Sequence, residues 1–450
     1  MSAASGQTGS PGGGRMARYF RGLLRHHLSL YVMPDDRIVE VDPGGDGAVF
    51  RHGNASVYSA GGRGAAPGVL TTADEVRGLN PDYVLLNGNA HFEPDLQDFL
   101  GRIRGLCTPS TRLVVLYYSS VWRPLLRLAT ALGLRSRTPE LNWLAPDDVR
   151  NILFLSGFET ILDECRIICP VYIPLLGALL NRWMAPLPFF RMFCVVHIHI
   201  ARMAPVPGAA SPSVSVVVAA RNEAGNIEDL VRRLPAMGPD DELIFVEGHS
   251  TDGTWEKIRE VAARHGTARR ILTAKQDGKG KGDAVRKGFA MASRDILMIL
   301  DADLTVPPES LLRFYRALVE GRGEFINGSR LVYPMADQAM RFFNIIGNKF
   351  FAAAFSFVLS QRFKDTLCGT KALSLANYRK IVQHRSFFGD FDPFGDFDLI
   401  FGAARLGLKI VDLPVHYGER TYGTTNIQRW RHGLLLLRMV VFAARRFRFV

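Results

Sequence analysis

The sequence predicts an α/β protein with two Rossmann-like α/β/α domains. In the C-terminal half, short β-branched runs alternate with segments of helical periodicity, which is typical of a parallel sheet covered on both faces. The chain has 450 residues, enough for two or three domains. Residues 205–212 are rich in proline and mark a linker between the halves. The prediction for the N-terminal half rests on motifs described below.

The elements of the second domain follow in regular order after the linker. Strand-like runs cover residues 214–220, 242–246, 271–274 and 295–300, with helical segments at about 225–237, 253–265 and 283–292 between them. We therefore predict a leader and entry helix at 1–29, a first domain at 30–204, the linker at 205–212, a second domain at 213–428 and a basic amphipathic tail at 429–450.

Composition favours anionic partners. The formal charge is +12 and hydrophobic residues make up 47% of the chain. From residue 429 onward the chain carries arginines among apolar residues and no acid, which suits an interfacial helix on anionic lipid, although a helix packed on the protein's own core has the same pattern.

Residues 1–15 lack the apolar core of a secretory signal and indicate a disordered leader. We predict peripheral attachment to the cytoplasmic face of a membrane and no nucleic-acid partner.

The chain has five cysteines, an odd number. Only Cys165 and Cys169 are close in sequence, and they lie in an apolar stretch. The sequence therefore predicts buried, reduced thiols and no zinc site.

Polar residues lie where the strands of the second domain end. They are Asn222, Glu223, Glu247, Asp301 and Asp303. Ligands of parallel sheets bind at the carboxyl ends of the strands, so these residues are expected at one edge. Two carboxylates one residue apart can hold a divalent cation against a diphosphate, although an ordinary turn with solvated acids has the same sequence.

A glycine-rich loop at residues 277–282 contributes positive charge. It contains Lys279 and Lys281, and Lys275 precedes it. Backbone N–H groups and ammonium groups in such a loop can close over a diphosphate, and the alternative is a solvated basic loop.

Eight motifs support a family resemblance. They are residues 219–223, 246–254, 278–284, 301–303, 328–330, 365–371, 395–398 and 420–426. The segment from Ser213 to about Met439 resembles the inverting family 2 glycosyltransferases of the GT-A fold, within them the dolichyl-phosphate mannosyltransferase and polyprenyl-phosphate branch. The resemblance implies a hexosyltransferase that moves a sugar from a nucleotide-sugar donor to a polyprenyl (lipid) phosphate acceptor.

The resemblance also implies residue roles. Donor binding is expected from Ala220, Asn222, Glu223, Glu247, Lys279 and Asp301; Mg²⁺ or Mn²⁺ binding from Asp301 and Asp303; acceptor-phosphate binding from Arg330, Arg341 and Arg420; and catalysis from Asp396 and Asp398. A hydroxyl acceptor needs one of the last two acids as a general base, whereas a phosphate acceptor is already anionic and needs only orientation. We expect Asp398 to face inward. The structural alternatives are that Glu223 caps a helix, that Glu247 caps a turn and that the arginines form surface ion pairs.

The aromatic segment at residues 342–363 is expected to form a shallow amphipathic helix pair that lies in the bilayer surface and guides a prenyl chain, with a core helix as the alternative. It lacks the uninterrupted apolar length of a membrane span.

The N-terminal half resembles class I S-adenosylmethionine methyltransferases. Residues 36–47 match the first strand and glycine loop of that family, and residues 82–86, 112–116, 142–144 and 156–159 match later elements. Asp42 stands at the first glycine of the loop, and the strand at 55–59 lacks the acid that grips the ribose. The domain is therefore predicted to be degenerate, with a structural or docking role and without bound S-adenosylmethionine.

Three other functions fit parts of this pattern. The transferase could act on a saccharide hydroxyl during surface-glycan synthesis, or an active methyltransferase could accompany it in a bifunctional enzyme. A non-catalytic scaffold is the third, and the intact acidic motifs argue against it.

Overall fold

The protein is described here by a computed structural model. It describes residues 13–43, 47–59, 69–132, 140–206, 208, 211–334, 342–387, 395, 397–420, 422–423 and 429–450. The chain forms two compact units: the first contains the described residues up to Ala204 together with Arg446–Val450, and the second runs from Pro205 to Arg445.

Unit 1 is a seven-stranded α/β domain. Its strands are β1 Ile38–Val41, β2 Ala55–Tyr58, β3 Val69–Leu70, β4 Tyr83–Asn87, β5 Arg112–Tyr118, β6 Phe158–Arg166 and β7 Val196–Met203. Its helices are α1 Gly13–Leu28, α2 Ala73–Leu79, α3 Leu96–Arg104, α4 Arg123–Ala131, α5 Pro146–Leu155 and α6 Leu176–Ala178.

The sheet of unit 1 has the order β3-β2-β1-β4-β5-β7-β6. All paired strands are parallel except β7, which is antiparallel to both β5 and β6. The apolar runs of the central strands β1, β4 and β5 are buried on both faces, which is typical of a sheet covered by helices. Strand order reverses between β1 and β4, so Asp42, which directly follows β1, lies at the switch point.

The last residues of the chain pack inside unit 1. The Arg166 guanidinium donates hydrogen bonds to the carbonyl oxygens of Phe447 and Arg448 at 3.0 and 2.7 Å. The Glu164 carboxylate accepts from Arg166 at 2.8 Å and lies 3.3 Å from Arg448, and all three side chains are buried. This end of the predicted tail is therefore held by a buried acid of β6 rather than exposed to solvent or lipid.

His27, on α1, makes the stability of unit 1 depend on pH. Burial, reinforced by the charge of Arg166, lowers the pKa of His27 to about 3. In the unfolded chain this histidine has a pKa near 6.5, so below that pH the unfolded state binds a proton that the folded state does not bind. We expect stability to fall as pH drops below about 6.5, by up to about 1.4 kcal/mol per pH unit.

The measurement is the thermal unfolding of unit 1 between neutral and mildly acidic pH. The His27→Leu variant should lose this pH dependence, whereas His26→Leu, at the exposed neighbouring position, should keep it. Equal pH dependence in His27→Leu and the wild type would assign the effect to other groups.

Unit 2 also contains a seven-stranded sheet. Its strands are β8 Val214–Ala220, β9 Glu242–Glu247, β10 Arg270–Lys275, β11 Ile296–Ile299, β12 Phe325–Ser329, β13 Lys371–Ser374 and β14 Ile410–Pro414. Its helices are α7 Ile227–Arg233, α8 Thr254–His265, α9 Lys281–Met291, α10 Leu311–Val319, α11 Phe342–Leu359, α12 Leu375–Gln383, α13 Phe397–Arg405 and α14 Arg429–Ala443.

The order of this sheet is β10-β9-β8-β11-β13-β12-β14. The strands are parallel except β13, which is antiparallel to β11 and β12. The strand-like runs of the sequence form β8 to β11, and all residues of β9 and β11 are buried. The predicted class of two α/β domains is confirmed.

Two apolar helices pack together in unit 2. The predicted aromatic segment contains α11, which contacts α14. Phe355 and Val358 of α11 are buried, whereas Ile346 and Phe350 on the same helix are exposed. None of the helices in the described ranges combines the length and the apolarity needed to cross a bilayer.

Candidate active site

The candidate site lies at the carboxyl edge of the second sheet. Strand order reverses between β8 and β11, and the crevice at such a switch point is where parallel sheets bind ligands. Asn222 and Glu223 follow β8, and Asp301 follows β11. The predicted donor and metal residues therefore flank the switch point from both sides.

The turn after β8 is joined to the loop after β9. The Asn222 side-chain oxygen accepts the Thr251 N–H at 2.9 Å, and Asn222 itself has a left-handed φ of 57°. Glu247, buried at the end of β9, accepts the Ser250 N–H. The carboxylate of Glu247 thus caps a turn, as the structural alternative predicts. Its role in donor binding stays a prediction.

Asp301 is paired with the lysine that starts α9. The Lys281 Nζ lies 2.6 Å from Asp301 Oδ1. Burial raises the pKa of Asp301 and Lys281 opposes it, and the net shift is downward, so the carboxyl is charged. A Cβ on Gly369 would lie 2.2 Å from both Asp301 Oδ2 and Lys281 Nζ, so only glycine leaves room for this pair.

Arg420 bridges two acids at the mouth of the crevice. Its Nη1 donates to Glu223 and its Nη2 to Asp303, each at 2.8 Å. The other oxygen of Asp303 accepts from the Thr305 hydroxyl at 2.7 Å. Burial raises the pKa of Glu223, although Arg420 opposes the shift. Arg420, which was predicted to bind the acceptor phosphate, thus contacts Glu223, predicted to bind the donor, and Asp303, predicted to bind the metal.

Arg330 is held by an acid outside the predicted set. Its guanidinium makes a two-pronged pair with Asp365, with N–O distances of 2.7 and 2.9 Å, and Asn348 donates to the same carboxylate. Burial raises and Arg330 lowers the pKa of Asp365, with a net value of about 2. In this structure Arg330 therefore braces the strand end, and its acceptor role stays a prediction.

Asp398 lies at a separate cavity beside α9 and α13. The cavity has a volume of about 220 Å³ and is lined by Arg286, Arg385 and Tyr378 as well as Asp398. Arg286 and Arg385 lie 3.8 and 3.3 Å from the Asp398 carboxylate. Gly395, which also lines the cavity, packs against Gly282, the neighbour of Lys281, so cavity and crevice adjoin through these glycines.

The remaining predicted residues divide into two groups. Arg341 and Asp396 lie outside the described residues. Ala220 is buried at the end of β8, and Lys279 is exposed in the glycine-rich loop. Lys281 and Asp365 lie in motifs recognised from the sequence, but neither was assigned its own role. Arg286 and Arg385 were not predicted, because they carry no local signal.

The acidic pair fits a divalent cation. Asp301 and Asp303 offer the hard oxygen donors that Mg²⁺ and Mn²⁺ prefer. Each carboxylate has a cationic side chain against it, Lys281 or Arg420, so this pocket favours positive charge.

Comparison with known proteins finds a family match within this half. Residues 215–380 match Glycosyl transferase family 2. Dolichol-phosphate mannosyltransferase from Pyrococcus furiosus is 28% identical over 221 residues, which cover 48% of this chain and 59% of that protein. Glycosyltransferase AglJ from Haloferax volcanii is 29% identical, covering 51% of this chain and 70% of that protein.

A solved structure of glucosyl-3-phosphoglycerate synthase from Mycobacterium tuberculosis, in complex with Mn²⁺ and uridine diphosphate, is 20% identical. It covers 52% of this chain and 80% of that chain, with a TM-score of 0.36. The matched residues 215–380 lie after the linker, in the unit that contains the second seven-stranded sheet. The C-terminal half of this chain therefore contains a glycosyl transferase family 2 domain.

Proposed function

We propose that unit 2 transfers a sugar from a nucleotide-sugar donor to a polyprenyl phosphate, with inversion at the anomeric carbon. The observation that carries the proposal is the pair Asp301 and Asp303 at the switch point, each with a cationic partner. The name of one relative supports the lipid-phosphate acceptor, since it is a dolichol-phosphate mannosyltransferase.

The donor diphosphate is proposed to lie between the acids and the glycine-rich loop. Asp301 and Asp303 would hold Mg²⁺ or Mn²⁺, which would neutralise charge on the departing nucleoside diphosphate. Lys281, whose side chain is 29% exposed beside Asp301, would donate to a phosphate oxygen of the donor when Asp301 holds the cation. Glu223 and Asn222 supply oxygens for ribose or base N–H and O–H groups.

The acceptor phosphate is proposed to enter the cavity at Asp398. Arg286 and Arg385 line it, and guanidinium groups bind phosphate oxygens in a fixed fork geometry. A phosphate oxygen is already anionic near neutral pH, so Asp398 would orient the two arginines rather than remove a proton. These residues extend the acceptor set predicted from sequence.

The test is a transfer assay with washed protein, short-chain polyprenyl phosphate, Mg²⁺ or Mn²⁺ and a panel of nucleotide sugars. We expect a product whose mass is that of the prenyl phosphate plus one sugar, and a chelator should suppress it. Transfer only to a free saccharide would replace the acceptor proposed here by a hydroxyl. Neither transfer nor donor hydrolysis with any donor would contradict the proposal.

Unit 1 is proposed to be a methyltransferase-like domain without cofactor. Asp42, at the place of the first loop glycine, has a left-handed φ of 39°, so the backbone keeps the glycine conformation while adding a carboxylate. The Asn89 side chain donates to the Val41 carbonyl at 3.0 Å at the same strand end. The negative charge of Asp42 would oppose binding of the cofactor's carboxylate. Calorimetry with S-adenosylmethionine tests this, and micromolar affinity would contradict it.

We also propose that an apolar surface of unit 1 binds membrane. Between residues 167 and 193 the chain has no acid and two arginines, Arg182 and Arg191. The large apolar side chains exposed there are Tyr172, Ile173, Leu175, Leu176, Leu179, Trp183, Leu187, Phe189, Met192 and Phe193. Leu175 is 90% exposed and Phe189 is 69% exposed. Apolar and basic residues without acids suit the interface of an anionic bilayer.

Vesicle flotation measures this attachment. The wild-type protein should float with phosphatidylglycerol-containing vesicles, and Leu175→Asp with Phe189→Asp should stay at the bottom. Phe154→Asp serves as the control, since Phe154 is 73% exposed on α5 outside this segment. Flotation of the double variant equal to that of the wild type would assign binding to another surface, such as α11 and α14. High salt should weaken the electrostatic part.

A further inference from the structure

Strands β6 and β7 of unit 1 bring four metal-binding side chains together. Asp163 and Cys165 are two residues apart on β6, and His197 and His199 are two residues apart on β7. Side chains two residues apart on a strand share a face of the sheet. The antiparallel register places Asp163 opposite His199 and Cys165 opposite His197. The result is a two-by-two grid at the end of the sheet where β5 and β6 finish.

The grid has the spacing of a metal centre. The ligand atoms of Asp163, Cys165 and His197 all lie within 4.8 Å of one another. Cys165 Sγ is 3.2 Å from His197 Nδ1. Two ligands bound tetrahedrally to zinc at about 2.0–2.3 Å are roughly 3.3–3.6 Å apart, so a small shift of either side chain would admit the ion.

The surroundings of the grid hold these side chains in place. The Tyr117 ring stacks on His197 with 5.0 Å between ring centroids, and the Tyr117 hydroxyl lies 3.1 Å from His199 Nε2. His199 Nε2 is also 3.2 Å from Asp163 Oδ1. Asp163 also lies beside two arginines: its Oδ2 is 3.5 Å from Arg150, and its backbone carbonyl accepts from Arg191 at 3.3 Å. A histidine beside a ligating carboxylate is a usual outer partner in metal sites.

In contrast to the sequence prediction of no zinc site, we propose that Asp163, Cys165 and His197 bind a Zn²⁺ ion in unit 1, with His199 as the residue that positions Asp163. One thiolate, one imidazole and one carboxylate are the ligand types that zinc takes, and the Cys165 thiol would release its proton to solvent on binding. Three protein ligands leave a fourth position for water or a ligand. The site is independent of the Asp301 and Asp303 pair, which offers only oxygen.

The test uses the full chain, treated with a chelator and then titrated with Co²⁺ as a spectroscopic probe and with Zn²⁺ in competition. We expect one tightly bound ion per chain, visible d–d bands of a tetrahedral centre and a sulfur-to-cobalt charge-transfer band. Cys165→Ser should abolish the charge-transfer band, and His197→Gln should lower the affinity. His199→Gln should lower it by about 10- to 100-fold, since it alters only an outer partner.

Cys107→Ser is the matched control, because Cys107 is a buried thiol of unit 1 outside the grid. It should leave both the spectrum and the affinity unchanged. A charge-transfer band that survives in Cys165→Ser, or equal affinity in the wild type and Cys165→Ser, would overturn the assignment. A wild-type spectrum without any sulfur band would overturn it equally.

Discussion

Replacing Asp303 by asparagine is expected to reduce sugar transfer about 100- to 1,000-fold, the usual cost of removing one charged stabiliser of a transition state. Asparagine has the same shape, and its side-chain oxygen can still accept the hydrogen bond from Thr305. The substitution removes the negative charge that faces Arg420 and that would bind the cation. The fold should therefore persist while the rate falls.

The measurement compares initial transfer rates over a range of Mn²⁺ concentrations. If Asp303 binds the cation, the variant should need more Mn²⁺ as well as turn over more slowly. Asp240→Asn provides the control. Asp240 lies just before β9, at the opposite edge of the sheet, where it pairs with Arg294. A variant with the wild-type rate and the wild-type Mn²⁺ dependence would remove Asp303 from the metal site.

The position of Asp301 could be predicted because local patterns determine it. The apolar run forms the buried strand β11 and ends in Asp301. The acid therefore emerges at the carboxyl edge of the sheet. The same logic places Asn222 and Glu223 after β8. Whether a strand forms and where it ends depend on residues close together in the chain. Both can therefore be predicted from a single sequence.

The partners of these acids could not be predicted in this way. Arg420 reaches Glu223 across 197 positions of the chain, and Arg330 meets Asp365 across 35. Such pairs depend on strand order and on the packing of loops, which no local pattern encodes. The proposed zinc site is intermediate, since the spacing of Asp163 and Cys165 is visible in sequence but the register that brings His197 opposite Cys165 is not.

Unit 1 is expected to lose about 3–5 kcal/mol of stability when Glu164 is replaced by glutamine, as buried pairs do when one partner is removed. Glu164 is the acid that lies between Arg166 and Arg448, and each of the three side chains is at most 3% exposed. The amide keeps the size of the side chain but leaves two buried guanidinium groups facing it without the negative charge. The net effect should be loosening of β6 and of the chain end that Arg166 binds.

Hydrogen exchange of peptides from β6 and β7, together with thermal unfolding of the whole chain, measures this effect. Asp74→Asn is the control, because Asp74 is 88% exposed in a surface pair with Arg77 and should cost less than about 1 kcal/mol. Arg448→Met should be milder than Glu164→Gln, since Glu164 would still face Arg166. Equal protection of β6 in Glu164→Gln and the wild type would show that these arginines are stabilised by their carbonyl partners instead, at Phe447 and Pro186.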